Sequence, residues 1–481
     1  MSSEIEVQST LNASALDKLL GEWDTGESAY VALAERIRLL VIDGRIATRT
    51  RLPSERELAE RLGRSRTTIV AAYKRLRESG HLVSVRGSGS VTRMPRSQRN
   101  PVDHEHGGVI DMSRAVPSPI SGLDAIIRRT MEDIPSILAR PGIDLSGDPA
   151  LRAMIADRFT ARGLPTTPDQ VMVTIGAQHA ISLIARTLVS PGDRVLIESP
   201  TYPHAYETLR ASGARFVTTP IMDGAWDAVR LRESMERTRP TLAYLIPEFH
   251  NPTGAWMTPE VREVVVDSAS RSGTILLIDE TMGDLDIDRG FDVPSVATYA
   301  RRDTTVVTVG SLSKSVWGGM RVGWIRADAE LIHSFVAMRP TSDMGSPHLD
   351  QAVAMETFGE LDGIIGRRTA QLHGRRDHLA AELRARMPEW GVPDVVGGLS
   401  LWVNLGAPLS SGLALAARSR GLLVTAGPNF GVDGAFERFM RLPYTLSEPE
   451  LTAAAQILQD SWRSLGSVPS ASYEQGLVAV V

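Results

Sequence analysis

Lys314 is one of only three lysines, with Lys18 and Lys74, among 52 cationic residues; all the others are arginine. An amine that loses its proton can attack an aldehyde, whereas a guanidinium is effectively never deprotonated and makes no such bond. A lysine kept just past an apolar β-type run, inside "GSLSKSVWGGMRVGW" (310–324), therefore points to covalent work on a carbonyl. The residues spaced around it suit a flat, phosphorylated aldehyde. Ser311 and Ser313 offer hydroxyls and Arg321 a guanidinium to a phosphate. "TIGAQHAISLIARTLV" sets Gly176-Ala177-Gln178 where a strand passes into an amphipathic helix, with backbone N–H groups free to meet an anion. Asp279 closes the apolar run "TILLID", where a carboxylate would pair with a protonated ring nitrogen and make the ring an electron sink. Tyr202 in "SPTYP" supplies a stacking face, and Asn251 in "HNPTG" an amide donor for a phenolic oxygen. Each feature alone is also an ordinary strand end or turn; the signal is their joint presence.

A second chemistry lies at the N-terminus. Residues 45–96 hold 13 Arg or Lys against 4 Asp or Glu, a surplus of +9 in a chain of net charge −5. A basic module on an acidic body suits a polyanionic partner. Within it, Ser65-Arg66-Thr67-Thr68 opens a helix. Arg66 could fork onto guanine O6 and N7, the hydroxyls could bond phosphates, and Arg56 could clamp the backbone from the helix before. The same charges would also suit a solvated helical pair that binds nothing.

The elements that must carry these residues follow from periodicity. Segment 28–46 places Val31, Leu33, Ile37, Leu40 and Val41 on one helical face, with Gly44 as stop. Segment 52–63 predicts a second helix, with Ser54 and Glu57 at capping-box spacing and Gly63 at its end. Segment 64–80 restarts with Ser65 as N-cap and stops at Gly80, which makes a helix-turn-helix. Segment 81–92 reads as two short strands around a turn at 86–89, a wing. Residues 94–108 are polar, contain Pro and Gly, lack periodicity and read as a linker. From 109 onward, β-type runs at 171–174, 194–197, 242–246, 274–278 and 304–309 alternate with helical segments. That alternation predicts an α/β body with a mostly parallel sheet, followed by a small α+β lobe. The expected division is 1–93, a linker at 94–108, and 109–481.

With no cysteine, disulfides, thiolate metal sites and thiol catalysis are excluded, and no metal site is expected. No stretch approaches the roughly 18 uncharged apolar residues of a membrane helix, and "MSSEIEVQST" is no secretory leader. A cytoplasmic chain without a membrane partner is the expectation.

The string "LPSERELAERLGRSRTTIVAAYKRLRESGHL" resembles the winged helix-turn-helix of the GntR family of bacterial repressors. That resemblance implies double-stranded DNA as partner. It makes Arg56, Ser65, Arg66, Thr67 and Thr68 the contacts, with Gly87 at the wing tip and Tyr73 as packing. The ordered set GAQ, SPTYP, NPTG, D, SxSK and R resembles the class I/II aminotransferases of pyridoxal phosphate fold type I. This implies pyridoxal 5'-phosphate as cofactor, bound covalently by Lys314. Asp279 would then partner the ring nitrogen, Asn251 the ring oxygen and Tyr202 the ring face. Ala177, Gln178, Ser311, Ser313 and Arg321 would form the phosphate cup. It further implies a cis Asn251–Pro252 bond, a lobe strand within "GGLSLWVNL", and Arg441 of "FMRLPY" as the site for an effector's carboxylate.

The fusion of the two resembles the MocR family of transcription regulators, and its lead-in and "DET" resemble that family's YczR branch. It implies a head-to-tail homodimer that responds to pyridoxal 5'-phosphate, or to its adduct with an amine or amino acid, generally without turnover. Two departures stand out. Thr281 and Met282 occupy positions where relatives carry a tyrosine near the ring oxygen. Gly142 and Ile143 occupy the stretch where relatives carry a tyrosine that reaches the partner's phosphate. A genuine aminotransferase carrying a DNA-binding domain, or a regulator whose body only dimerises, are the alternatives.

Overall fold

In the computed structural model, residues 9–21, 23, 28–42, 46, 49–85, 89–93, 108–139, 142–222, 224–432 and 434–466 are described. The expected stop at Gly44, the wing tip at Gly87 and the linker, Gly108 excepted, lie outside them.

Ser54 accepts a bond from the backbone of Glu57, whose carboxylate reaches back to the Ser54 N–H at 2.9 Å, so the capping box forms and helix Glu55–Leu62 starts there. Gly63, at φ 62°, reverses the chain without a Cβ penalty. Ser65 then caps helix Arg66–Glu78. Leu58, Ile69, Tyr73 and Leu76 of this pair close on Leu33, Ile37, Leu40 and Val41 of helix Ala29–Ile42. Tyr73 is fully buried and its hydroxyl donates to the Pro53 carbonyl at 2.9 Å, a packing role. The wing strands Leu82–Val85 and Gly89–Thr92 pair antiparallel. Thr50–Arg51 and Ser9–Thr10 extend them to a four-stranded sheet. Removing the cap, Ser54→Ala, costs about 1 kcal/mol of helix stability. The expected readout is faster hydrogen exchange at the Leu58 and Ala59 amides.

The body is built on an eight-stranded sheet. Its order is Val171–Thr174, Gly323–Arg326, Val306–Ser311, Ile275–Asp279, Leu242–Leu245, Arg194–Ser199, Arg215–Met222 and Ala225–Trp226. Strands Val306–Ser311, Ile275–Asp279, Leu242–Leu245, Arg194–Ser199 and Arg215–Met222 run parallel. A sheet covered on both faces buries successive side chains on opposite sides, so its strands read as unbroken apolar runs. Leu196, Leu245 and Ile278 enter one core, while Ile197, Tyr244 and Leu277 enter the other. Gly323–Arg326 returns antiparallel beside Val306–Ser311 and also pairs with Val171–Thr174. The loop that carries Lys314 is thereby pinned at both ends by adjacent strands.

The small lobe is a three-stranded antiparallel sheet of Ser400–Asn404, Phe439–Pro443 and Thr425–Ala426, packed with helices Leu361–Arg386 and Glu448–Gly466. Ile110–Asp111, at the start of the body, pairs with Leu422–Leu423 and brings residues 113–116 to the junction of lobe and sheet.

Candidate functional site

At the C-terminal ends of the parallel strands lies a cavity of about 240 Å³. Ala177, Gln178, Tyr202, Asn251, Asp279, Ser311, Ser313, Lys314 and Arg321 all line it. Every cofactor residue expected from the sequence is thus gathered in one place. Lys314 is half-buried, and its Nζ donates to the Ala115 carbonyl at 2.9 Å. Burial first, then the positive charges of Arg441 and Arg321, push its ammonium down to about 8, against the pull of Asp279. Roughly one amine in ten is then neutral at pH 7, far more than for an ordinary lysine. Since only the neutral amine attacks an aldehyde, cofactor capture by the apo chain should accelerate as pH rises to about 8 and level off above it. Stopped-flow visible absorbance measures this.

Asp279 ends its strand 4% exposed, with both oxygens held. Oδ2 accepts from the hydroxyl of Tyr244 at 2.8 Å, and Oδ1 from the Thr281 N–H and hydroxyl at 3.0 and 2.7 Å. Tyr244 was not expected from the sequence. Its signal is a lone phenol in an aliphatic strand, and its task appears only when Leu242–Leu245 lies beside Ile275–Asp279. Burial and Asp279 push the Tyr202 phenol up to about 12, so it stays protonated in neutral solution. The Asn251–Pro252 bond is cis. Asn251 Oδ1 accepts from Arg441 Nη1 at 3.3 Å, and its amide nitrogen makes no hydrogen bond among the described residues.

Helix Ala177–Leu188 begins at Gly176 without a side-chain cap, so its first N–H groups face the cavity's anion corner unclaimed by a side chain. Ser311 and Ser313 stand opposite, bonded to each other at 2.9 Å, and Arg321 bonds the Ile175 carbonyl at 3.2 Å. Two glycines permit this approach. A Cβ on Gly176 would lie 2.8 Å from the Arg321 guanidinium, and one on Gly323 would lie 2.7 Å from the Gly176 backbone. The Gln178 side chain turns away to the His204 carbonyl and Thr208, at 3.1 and 2.7 Å, so this residue serves the corner through its backbone.

Arg441, on lobe strand Phe439–Pro443, approaches from the other side, 7% exposed. It donates to the Ser113 carbonyl at 2.6 Å and lies 4.9 Å from the Phe430 ring. Burial pushes it down to about 10, still cationic at neutral pH. It forms no ion pair among the described residues, and its buried Nε has no acceptor.

The aminotransferase class I and II profile matches residues 125–458. The chain belongs to that family. A second match, to bacterial regulatory proteins of the gntR family, covers residues 29–91. The HTH-type transcriptional regulator TauR of Rhodobacter capsulatus is 26% identical over 467 residues, 87% of this chain and 94% of TauR. The probable rhizopine catabolism regulatory protein MocR of Rhizobium meliloti is 28% identical over 393 residues, 74% of this chain and 78% of MocR. The structure of LysN, the α-aminoadipate aminotransferase of Thermus thermophilus complexed with N-(5'-phosphopyridoxyl)-L-leucine, matches with TM-score 0.70 at 25% identity. It covers 75% of this chain and 94% of LysN. The chain thus has the two-part make-up of the MocR-type HTH regulators, a GntR reader followed by an aminotransferase-family body.

The cofactor of this aminotransferase-family body is pyridoxal 5'-phosphate. The cavity fits it on its own terms: an uncapped helix start with serines and an arginine for the phosphate, a buried carboxylate for the ring nitrogen, a free amide for the ring oxygen. Bound there, the group supplies an electrophilic aldehyde and an electron-withdrawing ring. Lys314 would provide the amine and Asp279 would pair with the ring nitrogen, while Tyr244 and Thr281 hold that carboxylate's orientation. Met282 lines the cavity as an apolar side chain with no donor to offer, so Asn251 would be the donor to the ring oxygen.

On the DNA side, Arg56, Ser65, Arg66 and Thr67 are exposed and Thr68 is half-buried. Arg66 is the first residue of helix Arg66–Glu78. The Ser65 hydroxyl is committed to capping, accepting from the Thr68 N–H at 3.1 Å, and it also bonds the Thr67 and Thr68 hydroxyls at 2.7 and 2.8 Å. The three hydroxyls therefore form one cluster beside Arg66 rather than three independent contacts.

Proposed function

We propose that this chain is a pyridoxal 5'-phosphate-responsive, DNA-binding transcription regulator of the MocR type. In this reading residues 1–93 read double-stranded DNA, 94–108 connect, and 109–481 sense the cofactor, in a head-to-tail homodimer working in the cytoplasm. Arg56, Arg66 and the Ser65-Thr67-Thr68 cluster meet the DNA, with Gly87 at the wing tip. Lys314, Asp279, Asn251, Tyr202, Ala177, Gln178, Ser311, Ser313 and Arg321 hold the cofactor. The observation that carries this reading is the joining, in one chain, of an exposed recognition-helix start to a cavity lined by all nine of those cofactor residues. Thr281 and Met282 favour sensing over turnover. The threonine hydroxyl is spent on Asp279 and the methionine donates nothing, so the ring oxygen lacks the second donor that tunes the electron sink.

Arg441 assigns the co-effector a carboxylate: a buried fork with an unused donor suits an amino acid or a carboxylated amine. The test is footprinting on DNA upstream of the chain's own gene, with and without pyridoxal 5'-phosphate, followed by a panel of amino acids. Protection that changes with cofactor supports the reading; protection indifferent to it refutes it. Arg441→Ala should weaken the response to the active amino acid by about 1.5–3 kcal/mol, roughly 10- to 150-fold, and leave cofactor absorbance in place.

A further inference from the structure

Consecutive residues at the end of strand Ile275–Asp279 face different spaces. Asp279 lines the cofactor cavity, whereas Glu280 lines a second cavity of about 450 Å³, and Ser311 stands in the wall of both. Glu280 Oε1 accepts from the Ser295 hydroxyl, and Glu280 has no ion pair among the described residues. The arginines of the wall are held by other carboxylates. Arg158 and Arg162 share Asp284 at 2.8 and 2.7 Å, and Arg289 bonds Glu248 and Asp286 at 2.8 and 2.9 Å. Burial, with Glu248 adding repulsion, pushes the Glu280 carboxyl up despite Arg262 and Arg162. A half-buried acid without an ion pair favours a ligand that brings it a positive charge.

A second, independent observation comes from another lining residue of this cavity. Trp324 is 7% exposed and lines the same cavity, and its buried indole N–H has no acceptor. The ring is spread over Gly310, where an added Cβ would lie 2.4 Å from it. Phe159, Leu164 and Ile365 add apolar patches to a lining that is otherwise mostly charged and polar. No group of three or more carboxylates and histidines is placed to hold a metal ion among the described residues. The charge wanted at Glu280 is therefore that of an organic cation.

We propose that this second cavity is a binding site for a small organic amine. Its ammonium group is seated on Glu280, and a hydroxyl or carboxylate on the same molecule accepts from the Trp324 N–H. The volume suits a ligand of a few carbons, whose chain can lie against Phe159, Leu164 and Ile365.

N,N-dimethylethanolamine tests this. It is a protonated tertiary amine with a hydroxyl, and it cannot condense with the cofactor's aldehyde, so it does not report on the Lys314 site. Calorimetric titration of the cofactor-loaded full chain should show saturable binding at one site per chain. Glu280→Gln should weaken that binding at least about tenfold and Trp324→Phe several-fold, with cofactor absorbance retained as the sign of an intact body. Should Glu280→Gln lose the absorbance, Trp324→Phe decides alone. Absence of saturable heat with the unaltered chain, or affinity unchanged in the variant that keeps its absorbance, overturns the proposal.

Discussion

Lys314→Ala should yield a colourless protein: no visible cofactor band, and no label fixed by borohydride. The effect is complete because the other two lysines, Lys18 and Lys74, lie in the N-terminal part of the chain, outside the cavity. The phosphate corner survives the substitution, so added cofactor should still bind, weakly and reversibly, and leave on gel filtration. Lys314→Arg should be equally colourless. It restores a cation but no nucleophile, since a guanidinium keeps its proton at neutral pH. Operator DNA should still bind to both variants, but without a response to cofactor. A visible band retained in Lys314→Ala would place the covalent bond elsewhere.

Arg66→Ala should produce the reverse. Arg66 begins the helix that enters the major groove in a helix-turn-helix, and it stands exposed beside the hydroxyl cluster of Ser65, Thr67 and Thr68. A bidentate contact from arginine to guanine discriminates by about 1–3 kcal/mol, so preference for the operator over a scrambled duplex should fall roughly 5- to 150-fold. Fluorescence anisotropy with the two duplexes measures this, and the cofactor band should be untouched. Arg56→Ala should instead weaken both duplexes alike, as expected of a phosphate contact. An unchanged operator preference in Arg66→Ala would remove this side chain from the groove.

Much of this was readable from the sequence because the decisive residues act through local chemistry. Asp279, Asn251 and Lys314 sit at strand ends and turns, where an apolar run stops at a polar group for a stated purpose. The capping box at Ser54 and Glu57 and the caps at Gly63 and Ser65 are likewise properties of a few adjacent residues. What could not be read depends on which strands become neighbours. Tyr244 meets Asp279 only across a strand pair, and Gly323–Arg326 shows itself as an antiparallel return only once the sheet is assembled. Side-chain direction is equally non-local. Gln178 turns its amide to His204 and Thr208, and Glu280 leaves the cofactor cavity for the one behind it. The short strand Ser9–Thr10 and helix Ala13–Leu20 escape a sequence reading because segments of two and eight residues carry too little periodicity to announce themselves.

The chain's three lysines make one measurement decisive. The holoprotein is reduced with borohydride, digested, and its peptides are weighed by mass spectrometry. A phosphopyridoxyl mass on the peptide that contains Lys314, and on no other, is the predicted result. An unlabelled digest, or a label on Lys18 or Lys74, contradicts a cofactor-sensing body.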